Sequence, residues 1–179
     1  MPRAFNGSAS ITTSVGALSG FAFGTMLAIA RRTDNDNWHG IVTTRQSGGT
    51  YEAYLDIAPS SHGTAGALWS SWNGTDNAAS LKFLAADGWC IIACTKATGS
   101  ATPRYHKYVL SSRTWSHDNG SGAVSNATSV PGGTVILGDV GGDALNGDIA
   151  AAALFGRTFT DQEIESLAGS WEVWLSYGP

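Results

Sequence analysis

The sequence predicts an all-β protein, an antiparallel two-sheet β-sandwich of the jelly-roll type with one short helix near its C-terminal end. Three observations predict it. Short β-like runs recur along the chain, separated by clusters of Gly, Asn, Asp and Ser. Several runs alternate, as in 51–57, where Tyr51, Ala53, Leu55 and Ile57 point one way and Glu52, Tyr54 and Asp56 the other. Long helical periodicity is absent, and about ten short strands in one chain suggest two stacked sheets.

In chain order the candidate strands are 10–13, 21–31, 38–45, 51–57, 66–72, 80–84, 88–96, 104–111, 134–137 and 148–155. Turn-rich stretches such as "TDNDN", "QSGG", "WNGTDN" and "DNGSG" lie between them. The predicted helix starts at Thr160, which forms a capping box with Glu163, and Asp161 sits favourably in its first turn. Ile164 and Leu167 supply an apolar stripe, and Gly169 reads as its stop after about two turns. In the tail at 170–179, Trp171, Val173, Leu175 and Tyr177 alternate with Glu172, Trp174 and Ser176, a strand pattern.

Composition narrows the function. With 179 residues the chain reads as a single domain, 1–179, large enough to bury a core without disulfides or metals. Charged residues make up 13%, about half the usual share, and the net charge of -4 with no basic cluster argues against nucleic acid. No apolar stretch approaches the length of a membrane span. Cys90 and Cys94 are four apart on a strand, roughly 13 Å along the chain, too far for a mutual disulfide. They read as buried thiols.

The landmarks resemble the laminin-G-like, concanavalin A-like jelly-roll family. Phe5-Asn6-Gly7-Ser8 resembles its opening strand, and "FAFGTMLAIARR" the strand that follows. "GWCIIACT" at 88–95 resembles its central Trp-containing strand, and Val135-Ile136-Leu137-Gly138 a later one. The strand–turn–helix ending matches 145–167, with Gly147, Ile149, Phe159 and Glu163-Ile164 in register. The resemblance implies the sandwich fold; it does not give function, because such folds host many activities.

Site chemistry must therefore decide. Glycoside hydrolysis needs two carboxyl groups flanking the scissile bond, about 5–9 Å apart. Glu52 and Asp56 share a strand face but stand roughly 13 Å apart along it. The four histidines, His39, His62, His106 and His117, lack a nucleophile context such as G-x-S-x-G, so the chain is expected not to be an enzyme. No cofactor is expected. Weak calcium candidates are Asp34 and Asp36 in "TDNDN" and Asp139 and Asp143 in "GDVGGDALNGD", although Asp also serves turns.

Seven tryptophans invite sugar stacking. Trp89 matches the family's structural tryptophan, and Trp38, at a strand start, reads as core. Trp69 and Trp72 face opposite sides of a strand, so one of them is a candidate for exposure. Trp72, Tyr105 and Trp115 are taken as the glycan-stacking candidates.

The run 149–155 has no polar side chain, and Ala151 and Ala153 stand where the family commonly carries charged residues. Either the chain's own tail or a loop covers this face, or a neighbour in an assembly does. With Trp171, Trp174 and Tyr177, these alanines form a candidate interface. The N-terminus lacks a secretory signal, and "EIESLAGSWEVWLSYGP" resembles the ending of laminin-G-like proteins in phage structural modules. These features lead to an expected bacteriophage virion protein, made in the host cytoplasm. It would be a capsid decoration protein or a tail component, docked on the major capsid protein or on tail proteins, and a homo-oligomer. The alternative expectation is a carbohydrate-binding module attaching to host-surface glycans.

Overall fold

A computed structural model describes residues 3–6, 10–14, 22–45, 51–59, 65–125, 133–140 and 142–177. The strands are β1 (Arg3–Asn6), β2 (Ile11–Ser14), β3 (Thr25–Arg32), β4 (Val42–Arg45), β5 (Tyr51–Ile57), β6 (Ala67–Trp72) and β7 (Thr75–Lys82). They continue with β8 (Cys90–Thr95), β9 (Arg104–Val109), β10 (Thr114–Asn119), β11 (Thr134–Leu137), β12 (Asp139–Val140), β13 (Asp143–Ala144) and β14 (Asn146–Phe155), before helix α1 (Asp161–Tyr177). One six-stranded sheet runs β1-β14-β3-β8-β9-β10 and the other β2-β11-β4-β5-β6-β7, all pairings antiparallel. We call these the first and second sheets. The predicted sandwich is present, and among the described residues no helix is long and apolar enough to cross a membrane.

Strands β7 and β10 escape the sequence pattern because they are polar edges. The run 80–84 misplaces β7, which begins at Thr75, directly after a two-residue turn. Asn73 (φ 50°) and Gly74 (φ 76°) both occupy the left-handed region, as a tight hairpin turn requires, and pair Trp72 with Thr75. Strand β10, "TWSHDN", is missed for the same reason. The two edges are laced together. The Asp118 carboxylate accepts from the Ser80 backbone N–H (2.7 Å) and hydroxyl (2.6 Å). Asn77 Nδ2 donates to the Gly122 carbonyl (2.7 Å), and its Oδ1 accepts from the Ser121 N–H (2.9 Å).

Between the sheets lies the main core, built from Met26, Ala28, Leu55, Leu68, Trp72, Phe83, Ile92, Tyr105 and their neighbours. Cys90 and Cys94 belong to it as free buried thiols, and burial pushes both up to about 12.

The first sheet is dry on its outer face as well. Leu27, Ile29, Ile91, Ala93 and Tyr108 form a second cluster there with Phe159, Ile164 and Ala168. The last two lie four residues apart on one face of α1. Helix α1 is therefore the cover for this face. A β-bulge between Ile149 and Ala151 adjusts the apolar run of β14 to its two faces. Ile149, Ala152 and Leu154 pack on the main core, and Ala150, Ala151 and Phe155 on the helix side. Ala153 pairs with Leu27 and is half-buried. Of the two covers the sequence left open for this side, the chain's own helix packs beside Ala151, while Ala151 and Ala153 both stay half-buried.

The capping box forms as predicted: the Thr160 N–H donates to Glu163 Oε2 (2.8 Å), and the Glu163 N–H to Thr160 Oγ1 (3.3 Å). The predicted stop does not. The helix runs through Gly169 to Tyr177, so 170–177 is helical rather than a strand. An interior glycine costs a helix only about 1 kcal/mol. The apolar positions Ile164, Leu167, Ala168, Trp171, Trp174 and Leu175 also follow helical spacing. The side chains of Trp171, Trp174 and Tyr177 lie outside the described residues.

Candidate functional site

Among the described residues no helix covers the outer face of the second sheet, which carries a cleft of about 270 Å³ lined by Trp38, Tyr54, Asp56, Trp69, Asp76, Val140 and Asp143. Strand alternation places the strand residues there. On β5, Ala53, Leu55 and Ile57 are buried toward the core, so Tyr54 and Asp56 turn outward. On β6, Leu68 and Trp72 point inward and Trp69 outward. Register aligns Asp56 with Trp69, and Tyr54 with Ser71, which in turn faces Asp76 on β7. Trp38, just before β4, brings its indole against Trp69 at 5.5 Å and 88°, an edge-to-face corner.

The polar groups are held in place. Tyr54 Oη donates to Asp76 Oδ1 (2.7 Å), and burial, then this carboxylate, pushes the phenol upward. The Asp56 carboxyl is 3% exposed and accepts from the Ile57 N–H (2.7 Å). Burial pushes it well above the usual carboxylate range, and the nearby Asp143 charge adds to this. Hydrogen bonds from the Ile57 and His39 backbone, and the Arg32 charge, oppose it. Burial, then Asp139, also raises Asp143. The cleft is thus a corner of two indoles and a phenol beside three carboxyl groups, with no cation among its lining residues.

This gives a pH prediction. An unfolded aspartate titrates near 3.9. Between that value and the raised one the native state holds a proton that the unfolded chain has released, so stability falls as pH rises through this window. Asp56→Asn should remove that slope and raise the melting temperature at neutral pH. Thermal melts from pH 4 to 8 check this; parallel profiles for the two proteins would contradict it.

The far wall of the cleft is the β12–β13 hairpin, seated on Gly40, whose N–H donates to the Asp143 carbonyl (2.7 Å). Behind it, buried His39 Nδ1 accepts from the Asn146 N–H (3.1 Å) and Nε2 bonds Asp34 Oδ1 (2.9 Å). Asp34 also accepts from Asn146 Nδ2 (2.6 Å) and the Asp36 N–H (3.1 Å). Asp139 Oδ1 accepts from the Gly142 N–H (2.8 Å). Of the calcium candidates, then, Asp34 and Asp139 organise turns, Asp36 is exposed at the end of one, and Asp143 alone lines the cleft.

The glycan-stacking candidates fare differently. Trp72 and Tyr105 are both 0% exposed, which corrects their assignment: neither offers a ring face. Trp72 Nε1 donates to Ser70 Oγ (2.9 Å), which meets Tyr105 Oη (2.6 Å), and Tyr105 donates to the Asn77 carbonyl (2.9 Å). Trp115 is half-buried on the opposite sheet, stacked on His117 and against Tyr108. The aromatic residues that do converge, Trp38, Tyr54 and Trp69, were not among the candidates. The parity of β5 and β6 was the signal for Tyr54 and Trp69.

Neither a family model nor a curated protein sequence matches the chain. Similar solved structures are numerous. A native heptameric SAP-like pentraxin from Limulus polyphemus matches with a TM-score of 0.64 and 14% identity, over 92% of this chain and 80% of that one. The LG1-3 region of the laminin α2 chain matches at 0.59 and 9%, over 89% and 32%. The CBM40 of the Ruminococcus gnavus IT-sialidase, bound to α2,3-sialyllactose, matches at 0.52 and 11%, over 93% and 97%. The chain has the laminin-G-like, concanavalin A-like jelly-roll fold.

Proposed function

We propose that the protein is a non-catalytic carbohydrate-binding module whose ligand occupies the cleft of the second sheet, and that the ligand is an uncharged glycan. The carrying observation is the Trp38–Trp69 corner beside Tyr54 and Asp76. Indole and phenol rings offer apolar surface to the C–H face of a pyranose, and the Asp76 carboxylate accepts hydrogen bonds from its hydroxyls. Asp76 and Asp143 line the cleft with negative charge and repel anionic sugars, which separates this cleft from a sialic acid site. Hydroxyl recognition here needs no metal, so binding should persist in EDTA. Self-association, expected from the sequence, would add avidity.

Docking on a virion through β14 would have to share that face with α1, which packs beside Ala151. None of the similar structures above is a virion protein. A glycan-binding module on a tail would keep the adhesion form of that reading.

The test is a glycan array, followed by calorimetry on the hits. Neutral oligosaccharides should bind and sialylated ones should not. Trp69→Ala should weaken binding roughly thirtyfold, the loss typical of a central tryptophan, with the fold intact. Release of reducing sugar, or binding that ignores Trp69, would overturn the proposal.

A further inference from the structure

On the opposite side of the sandwich, at the seam between α1 and the first sheet, three ligand-bearing side chains converge: His106 of β9, His117 of β10 and Asp161 of α1. One ligand atom from each lies within 4.8 Å of the others. We propose that these three residues form a binding site for a divalent transition cation of the zinc class, which pins helix α1 to the sheet.

Register sets the two histidines directly opposite one another, and their Nδ1 atoms face each other at 2.9 Å. The outer nitrogens are both held. His117 Nε2 lies 3.1 Å from Glu165 Oε1, and a carboxylate only accepts, so the Nε2 proton is fixed and neutral His117 presents a bare Nδ1. His106 Nε2 lies 3.1 Å from Thr95 Oγ1, whose hydroxyl donates to the Arg104 carbonyl (3.5 Å). With its proton on Nε2, His106 also presents a bare Nδ1, and two lone pairs then converge on one point. Asp161 Oδ1 stands 3.8 Å from His106 Nδ1 and supplies negative charge. With the proton on Nδ1 instead, His106 donates to His117, and Thr95 donates to Nε2. Cation entry therefore moves one proton between the two nitrogens of a single ring.

The supporting shell is that of a metal site, in which each ligating imidazole gives its other nitrogen to a carboxylate or hydroxyl. Trp115 stacks on the His117 ring at 5.6 Å and 7°, fixing its plane. Arg104 grips Asp161 through Nε (2.7 Å) and Nη2 (2.6 Å), which fixes the orientation of the carboxylate. Two imidazoles and one carboxylate with a fourth position open suit zinc. A tetrahedral ion with bonds of about 2.0–2.1 Å needs nitrogens roughly 3.3 Å apart. The two nitrogens, 2.9 Å apart, have to part by a few tenths of an ångström as β10 gives, and the Asp161 oxygen, 3.8 Å from His106 Nδ1, has to draw inward.

The experiment titrates EDTA-treated, dialysed protein with zinc chloride by calorimetry and with cobalt chloride by visible absorption. One saturable site of micromolar affinity, cobalt bands characteristic of tetrahedral nitrogen–oxygen ligation, and a raised melting temperature are expected. His117→Gln and Asp161→Asn should each weaken zinc binding about tenfold or more, with circular dichroism unchanged. Absence of saturable binding, or binding unaltered in both variants, would overturn the assignment. Glycan binding at the far cleft should not change with zinc, so the two proposals fail separately.

Discussion

Trp72→Ala should lower the free energy of unfolding by about 3–5 kcal/mol, as loss of a fully buried tryptophan does. For a chain of this size that is a drop of about 10 °C or more in melting temperature. The ring is 0% exposed among Ala53, Leu68, Tyr105 and Cys94, and its Nε1 feeds the Ser70–Tyr105–Asn77 hydrogen-bond chain. Removal leaves a cavity and withdraws one donor from a buried network. Glycan affinity of the folded variant, measured well below its melting temperature, should stay close to that of the parent. Trp69→Ala should show the reverse, a lost ligand with a small change in stability. Differential scanning calorimetry beside binding calorimetry reads both; a stable Trp72→Ala protein that fails to bind would exchange the roles of the two tryptophans.

Gly40→Ala should damage stability and binding together. A Cβ at Gly40 would lie 2.2 Å from the Val140 nitrogen, 2.5 Å from the Asp139 carbonyl carbon and 2.8 Å from the Asp143 carbonyl oxygen. All three are backbone atoms, so no side chain can swing aside. The β12–β13 hairpin has to lift, taking Val140 and Asp143 off the cleft wall and breaking the bond from the Gly40 N–H to Asp143. We expect a cost of about 1–3 kcal/mol and a fall of roughly tenfold in glycan affinity, the equivalent of 1.4 kcal/mol. Urea unfolding and calorimetry check this, and an unaltered protein would show that the hairpin does not form that wall.

Much of the fold was legible because apolar alternation is a backbone property. Strand β5 and β11 were read with their observed bounds. What failed was polar or ambiguous. Strands β7 and β10 are edges that bury little, and the stretch 171–177 satisfies both a two-residue and a helical period. At the site, alternation showed that Trp69 and Trp72 oppose each other but not which faces out. Leu68, on the same face as Trp72, was the available clue. The cleft also needs Trp38 and the β12–β13 hairpin, distant in sequence, and no local pattern joins them to β5 and β6. Likewise the His106–His117 pair becomes visible only once β10 is paired with β9.

The lacing of β7 to β10 has a consequence for how copies of the chain can meet. An edge strand with free N–H and carbonyl groups is a template for a second molecule, and many β-proteins aggregate through it. Here two edges, one from each sheet, lie along the same side of the sandwich, joined by Asp118, Ser80 and Asn77. Sheet extension into a neighbouring copy is thereby blocked on that side. Among the described residues the edges left for intermolecular strand addition are β1 and β2, so a fibre or sheet-continued dimer of this protein is expected to grow from these N-terminal strands.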